Sequence, residues 1–413
     1  MKGCVSISLY GQASKYSFGA IENAKLMPEI YPEWTLIVHA ERGHYAIPML
    51  KNLGAEVIEM DQLPGSGGTF WRFLPVEWSD RFTHVIIRDA DSRINFREKA
   101  CTDAWIKSDK DLHLIRDHPA HERIAILGGA WGVKTGIISI KDLISNWHHN
   151  YHYGDDERFL AEKIWPLFNQ GSFLRHCYRV NSTDDTEFPD HKPYEGFVGE
   201  RIEPKFNEDF TAIVLSPEKY KNRRNRFFES LDKNGGFLKG KVKWWKGTTV
   251  LDRVIPSHAN QACKFPHYYL ASQDHIDIIE RNILDKTNLL FVFEDDVIFR
   301  EDFVEYFLRM WISLPDGWMA AMLGGQPQTD LARAYVSPET AQTLASVHGC
   351  LGMHGVIWNQ RGMSKAFDYF TMHNSMTIDQ VFKDLQKQEK GFYAPARWIV
   401  EIDNKAIQYG QDN

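Results

Sequence analysis

The sequence predicts an α/β protein built as two successive units, each a mostly parallel sheet with helices on its faces. Three observations carry that expectation. The first half alternates short apolar strands with helical patterns, the signature of βαβ units. The chain has 413 residues, and at roughly 100–200 residues per domain that length suits two cores. Each half also repeats one plan, an acidic cluster directly after a central apolar strand, at Asp89 and Asp91 and again at Glu294, Asp295 and Asp296.

Taken in order, residues 4–9 read as a strand and 19–26 as a helix, with a breaker stretch over 25–34 marked by Pro28 and Pro32. Residues 35–38 form a second strand, 45–53 a helix, 56–60 a third strand and 85–88 a fourth. Over 181–204 the chain turns rich in Pro, Asp and Glu and loses periodicity, which places a linker there and sets the domains at 1–205 and 206–413. Residues 211–216 open the second unit as a strand, followed by a basic helix over 217–231. A long helix over 268–284 leads to the strand 289–293. Phe303, Phe307, Met310, Trp311 and Leu314 then share one helical face, with Glu301 and Asp302 at the end where the dipole favours acids. Residues 319–323 are a further apolar strand.

Composition excludes several classes. With 43% hydrophobic and 25% charged residues the chain is neither collagen-like nor disordered nor a coiled coil. Its longest apolar stretches, 289–293 and 137–140, fall far short of the ~18 residues of a membrane span. The start Met1-Lys2-Gly3-Cys4 has no secretory pattern. Five scattered cysteines make neither a disulfide framework nor a zinc site. A soluble, cytoplasmic protein is the expectation. The net charge of −7 argues against a dedicated duplex-DNA binder. The 13 tryptophans suit large cores as well as sugar-stacking surfaces.

The chemistry concentrates in the acidic clusters. In R-D-A-D-S-R, Asp89 and Asp91 are two residues apart, a spacing that turns both side chains the same way at a strand end. Two such carboxylates share one Mg²⁺ or Mn²⁺ and leave its other positions to diphosphate oxygens. Arg88, which ends the strand, joins Asp89 as a candidate for holding the ligand. In F-V-F-E-D-D-V-I-F, three acids between apolar runs are costly to bury unpaired, so they call for a cation or several donors. Asp295 and Asp296 are the metal candidates there, with Glu294 and Asp295 toward the ligand. Residues 219–247 carry ten Lys/Arg against Glu229 and Asp232. Most of these read as a solvated face, with Arg223 and Arg224 as candidate diphosphate clamps. G-S-G-G at 65–68 is neither a P-loop nor a dinucleotide fingerprint. Gly128 and Gly129 allow close backbone approach to a ligand, and Trp131 reads equally as a sugar platform or a core residue.

The second half resembles the lipopolysaccharide-type glycosyltransferases of family 25, on the E-D-D signature and its surroundings. T-A-I-V-L-S-P-E-K-Y-K-N-R-R-N-R-F-F resembles the family's opening strand and Arg-rich helix, with Ser216-Pro217 where an Asp is usual. H-A-N-Q-A-C-K-F-P-H-Y-Y-L-A keeps Cys263 and His267 but has Pro266 in place of Ser. The stretch 348–363 and T-I-D-Q-V-F resemble its late segments, so likeness extends over about 208–400. The resemblance implies inverting transfer with a carboxylate base, for which Asp379 is the candidate, and a ligand role for His267. The first half resembles D-x-D transferases related to families 8 and 32, on F-W-R-F-L-P, R-D-A-D-S-R, G-G-A-W-G-V-K, Y-G-D-D-E-R-F-L and a late R-H-C-Y. That resemblance implies a GT-A fold, Arg72 facing the donor, Asp156 as the catalytic acid residue and His176 completing a metal shell. Cys177 stands where an Asp often follows, and His118 and His121 are rivals for the His176 role.

The expected function is a bifunctional, Mn²⁺- or Mg²⁺-dependent glycosyltransferase with two GT-A-like modules. Each would move a sugar, hexosyl or pentosyl, from a UDP- or GDP-sugar to a glycan or glycoconjugate. Two alternatives stay open. One is a phage-type enzyme glycosylating modified DNA bases, prompted by residues 219–247 with Trp244 and Trp245. The other pairs one catalytic module with a degenerate scaffold or glycan-binding module, prompted by Ser216 and Pro266. Metal-dependent nucleotidyl transfer or phosphate hydrolysis accounts for the acids alone.

Overall fold

The computed structural model describes residues 2–189, 196–203, 206, 208–249, 251–256, 266–327, 333–335, 343–373 and 376–403. The chain divides into two compact units, Met1–Pro204 and Lys205–Asn413. No helix among the described residues is long and apolar enough to cross a membrane.

The first unit runs β1 (Gly3–Leu9), α1 (Ser14–Ile30), β2 (Thr35–Glu41), α2 (Ile47–Asn52) and β3 (Glu56–Met60). A 3₁₀ segment Gly67–Glu77 leads to β4 (His84–Arg88), α3 (Phe96–Ile106), β5 (Leu112–Arg116) and β6 (Ala130–Lys134). Then come α4 (Ile140–Ser145), α5 (Asp155–Phe159), α6 (Trp165–Phe168), β7 (Phe173–Cys177) and β8 (Asp185–Thr186). The sheet order is β3-β2-β1-β4-β6-β5-β7-β8. Only β6 reverses, antiparallel to β4 and β5. Every residue of β1 and of β4 is buried, as strands covered on both faces must be. Two local expectations change. Helix α1 continues through Pro28 to Ile30, because buried Met27 and Ile30 anchor its last turn against the core. Within the expected linker, β8 pairs with β7, fixed by Asp185, which accepts from Arg175 Nε at 2.7 Å.

The second unit contains β9 (Phe210–Pro217), α7 (Lys221–Asn234), β10 (Val242–Gly247), α8 (Pro266–Leu284), β11 (Leu289–Glu294), β12 (Val297–Phe299) and α9 (Phe303–Ser313). It continues with β13 (Ala320–Met322), β14 (Gln326–Pro327), β15 (Arg333–Tyr335), β16 (Leu344–Val347), β17 (Cys350–Leu351) and β18 (Gly355–Asn359). Helices α10 (Gln360–Met372) and α11 (Ile378–Gln388) precede β19 (Phe392–Pro395) and β20 (Val400–Ile402). Its main sheet is ordered β10-β9-β11-β18-β13-β19-β16-β15. The strand β18 runs antiparallel between β11 and β13, the place that β6 holds in the first unit. Phe303, Phe307 and Met310 of α9 are buried together, and Phe206, Phe237 and Phe291 close around them. Many of the aromatics are therefore spent on cores.

Both sheets change direction at one point. From β1 the chain winds outward through β2 and β3, whereas β4 starts the other side; from β9 it goes to β10, whereas β11 starts the other side. Crevices at the carboxyl ends of such neighbouring strands are where open α/β sheets bind ligands.

Candidate active site

In the first unit that crevice is a cavity of about 310 Å³ bordered by Ser8 at the end of β1 and Tyr10 just after it, by Asp89 and Asp91 after β4, and by Arg72, Gly128 and Asp156. Arg72, on the 3₁₀ segment, is its centre. Its backbone N–H donates to Ser8 Oγ at 2.9 Å, its Nη1 pairs with Asp89, and its Nη2 donates to Asp156 Oδ2 at 2.7 Å. Burial works against the guanidinium charge, but Asp89 and Asp156 outweigh it and hold the group protonated. Asp156 comes from the first turn of α5, so chain segments far apart in sequence meet on one guanidinium. Gly128 makes room for this. A Cβ there would lie 2.7 Å from Asp156 Oδ2 and 2.8 Å from Arg72 Nη2.

Asp91 lies across the cavity, only 5% exposed. Its nearest cations are Arg201 Nε at 3.7 Å and Lys15 Nζ at 4.0 Å, too long for hydrogen bonds. Burial first, and Asp89 next, push its carboxyl above the ordinary range. Neighbouring Glu157 is raised by burial and by Asp156. β4 stops at Arg88, so Asp89 and Asp91 meet the cavity through a turn, held by Ser92 Oγ donating to Asp89 O at 3.0 Å, and not by strand alternation.

Three of the residues weighed from the sequence do not line this cavity. Arg88 points away from the cavity: it is 1% exposed and its Nε lies 2.8 Å from Glu98 Oε1. Arg88 is the last residue of β4 and turns its side chain toward α3, where Glu98 lies. His176 is buried on β7 beside His113, with 2.9 Å between ring nitrogens, and burial drops its pKa to about 4. Its rivals His118 and His121 pack on Phe197 instead. Trp131 has no exposed surface and packs on Phe73, so it is a core residue.

In the second unit the corresponding crevice holds the E-D-D cluster. Ser216, at the end of β9, donates to Asp295 Oδ2 at 2.7 Å. Arg223 Nη2 of α7 bridges Asp295 at 2.7 Å and Asp296 at 3.2 Å. Arg224 donates to Ser216 Oγ at 3.2 Å and lies over the Trp244 ring at 3.9 Å. His275 Nε2 of α8 sits 3.2 Å from Glu294. Burial opposes ionisation of Glu294, yet His275 and His354 keep its pKa low. Asp295 is raised by burial. Asp296 is pushed to about 6 by burial and by Glu294, and its Oδ1 is buried with no hydrogen-bond partner among the described residues. Asp379, in the first turn of α11, accepts from Gly352 N at 3.0 Å and is raised by burial and by Glu294. His267 lies in the first turn of α8, where burial and Lys219 lower its pKa; Cys263 lies outside the described residues.

Among the described residues no three His, Cys, Asp or Glu side chains gather closely enough to hold a metal alone. Each cluster still fits a hard cation. Asp91 has no hydrogen-bonded cation, its nearest lying 3.7 and 4.0 Å away, Asp296 Oδ1 has no hydrogen-bond partner among the described residues, and Mg²⁺-type ions bind through one or two carboxylates with phosphate oxygens and water supplying the rest. Sequence reasoning missed Ser8, Lys15, Arg201, His275 and His354, which no local motif marks.

No protein-family model matches the sequence, and no curated protein matches it. Among solved structures the chain is similar to a glycosyltransferase involved in glycosylation of the major capsid of PBCV-1, at 13% identity over 43% of this chain and 81% of that one, with a TM-score of 0.31. It is also similar to Mycobacterium tuberculosis glucosyl-3-phosphoglycerate synthase in complex with Mn²⁺, UDP-glucose and glycerol 3-phosphate, at 14% identity over 42% and 69%, with a TM-score of 0.30. Likeness at that level leaves the assignment of function to the geometry of the sites.

Proposed function

We propose that the chain is a metal-dependent glycosyltransferase using nucleotide-sugar donors, with a donor site in each unit and a glycan or glycoconjugate acceptor. One observation carries the reading: Arg72 is fixed between Asp89 and Asp156 in a cavity at the sheet's switch point, with under-compensated Asp91 facing it. A donor's diphosphate brings negative charge that a buried guanidinium with fixed geometry stabilises as the glycosidic bond breaks. Asp89 and Asp91 would hold Mn²⁺ or Mg²⁺ there, and Asp295 and Asp296 in the second unit. The bound ion would add Lewis-acid stabilisation of the departing phosphate. Asp156 orients Arg72 and borders the cavity. Asp379, held by the Gly352 N–H and with its pKa raised by burial and by the charge of Glu294, is the base assigned to the acceptor hydroxyl in the second unit.

The test is turnover. Purified chain with Mn²⁺ is expected to hydrolyse or transfer from at least one UDP-, GDP- or CMP-sugar, and failure with all of them ends the reading. Paired Asp89→Asn/Asp91→Asn and Asp295→Asn/Asp296→Asn variants are expected to remove different steps.

A second reading, one catalytic unit and one degenerate unit, is favoured by Arg223, which already spans both Asp295 and Asp296. It holds if the second pair of substitutions leaves every transfer step intact. The DNA-directed alternative is weakened by the basic helix itself. Arg223, Arg224 and Arg226 engage Asp295, Ser216 and Asp403 of their own unit, which removes them from a phosphate backbone.

A further inference from the structure

Two adjoining, open surface depressions of about 620 and 670 Å³ lie side by side in the second unit. Arg300, Arg397 and Glu401 line both, so together they form one extended groove. One end is walled by His354 and Trp398, the other by Asn234 and Asp302. We propose that this groove binds an oligosaccharide acceptor and delivers its end to the E-D-D cluster, a proposal that rests on the glycosyltransferase reading of that unit.

The position argues for it first. His354 accepts from the Glu294 backbone N–H through its carbonyl at 3.1 Å. Its ring belongs to the charge environment of Glu294, Asp296 and Asp379. A ligand against His354 is therefore next to the acidic cluster. The chemistry of the walls argues for a sugar. Arg300 pairs with Asp302 at 3.2 Å and also with Glu401, and Arg397 pairs with Asp302 at 3.1 Å. Interleaved guanidinium and carboxylate groups offer donors and acceptors side by side, as hydroxyls that both donate and accept require. Half-buried Trp398, packed in part against the core of the unit, supplies an aromatic edge to the end nearest the cluster. The arginines Arg300 and Arg397, with Lys233 paired to Glu301 at 3.6 Å, balance the carboxylates of Glu301, Asp302 and Glu401, so the groove offers a polyanion such as single-stranded nucleic acid no net attraction. Shape argues for a chain, since enclosed pockets of roughly 300–1,000 Å³ hold single small ligands whereas this groove continues past one such volume into another.

The experiment is binding of full-length protein to an array of short neutral and uronate-containing oligosaccharides, with single-stranded oligonucleotides as a comparison, alongside donor hydrolysis in solution. Wild type is expected to retain at least one oligosaccharide family and no oligonucleotide. Trp398→Ala is expected to weaken that binding by about tenfold or more, as loss of an aromatic anchor does. Arg397→Ala, at a half-exposed side chain where folding is not at stake, is expected to weaken it as well. Absence of any oligosaccharide bound by the wild type, retention unaffected by both substitutions, or preference for oligonucleotides overturns the groove. Loss of donor hydrolysis in the wild type with oligosaccharide binding intact overturns the enzymatic reading and leaves the groove standing.

Discussion

Arg72 gives one guanidinium nitrogen to Asp89 and the other to Asp156, carboxylates that lie 17 and 84 positions further along the chain. That fork joins the turn after β4 to the helix α5. Removing it leaves Asp156 buried beside no cation, which typically costs about 3–5 kcal/mol. Arg72→Ala is expected to lower the melting temperature and abolish donor turnover. Arg72→Lys keeps the charge but cannot reach both partners in one plane, so it is expected to retain most stability and lose most turnover. Equal turnover in Arg72→Lys and wild type would show that the fork has no role in chemistry.

Gly128→Ala tests the same site from the backbone. A methyl group 2.7 Å from Asp156 Oδ2 and 2.8 Å from Arg72 Nη2 must displace one of them. Donor affinity, read by thermal shift with UDP-sugars and Mn²⁺, is expected to fall, while the melting temperature without ligand drops by only a few degrees, in keeping with roughly 1 kcal/mol of strain. Unchanged ligand shifts would mean that the donor does not use this cavity.

The strands were legible because β1, β4 and β11 are buried on both faces and must read as apolar runs. The acidic clusters were legible for the converse reason, since carboxylates beside such runs need partners. What the sequence hid is which partners. Arg201 reaches Asp91, and His275 reaches Glu294, only through the winding of the sheet. His176 misled because adjacency in sequence reverses facing on a strand: Arg175 and Cys177 line one small cavity while His176 between them turns inward. Arg88, last in β4, misled because it turns toward Glu98 on α3. Pro28 misled because a proline in a last turn forfeits little when the turn is anchored by buried neighbours.

The buried Arg88–Glu98 pair is structural, and a double-substitution cycle shows it. Glu98 also accepts from Tyr31 Oη at 3.1 Å. Arg88→Met alone strands a carboxylate and is expected to cost about 3–5 kcal/mol, whereas Arg88→Met with Glu98→Leu is expected to recover most of that. Urea unfolding measures both. Donor turnover per folded molecule should be unaffected by the double change; a collapse of turnover in folded protein would return Arg88 to the active site.

Ser216 carries the second unit's equivalent contact, donating to Asp295 at 2.7 Å and accepting from Arg224 at 3.2 Å. Ser216→Ala removes a buried hydrogen bond to a charged group, a loss of about 1–3 kcal/mol. Ser216→Asp, the residue usual in the resembling family, places a second carboxylate against Asp295. It is expected to destabilise the metal-free protein more than Ser216→Ala and to regain stability on adding Mn²⁺. Identical melting curves with and without Mn²⁺ for Ser216→Asp would argue against a cation at this cluster.

Acid should destabilise the first unit through its buried histidines, and His39 on β2 isolates the effect. Its ring has no exposed surface, neither nitrogen has a hydrogen-bond partner among the described residues, and burial lowers its pKa to about 4. Unfolding returns it to about 6.5. The unfolded state therefore binds the extra proton, so this residue's contribution is intact above pH 6.5 and is lost as pH falls toward 4. At pH 4.5 the loss amounts to roughly 2–3 kcal/mol, given ~1.4 kcal/mol per pKa unit. His39→Leu preserves an apolar filling and removes the titration. Its unfolding free energy in urea is expected to decline less between pH 7 and 4.5 than that of the wild type, with His176, also held near 4, accounting for part of what remains. Parallel pH profiles for the two proteins would mean that another group governs acid unfolding.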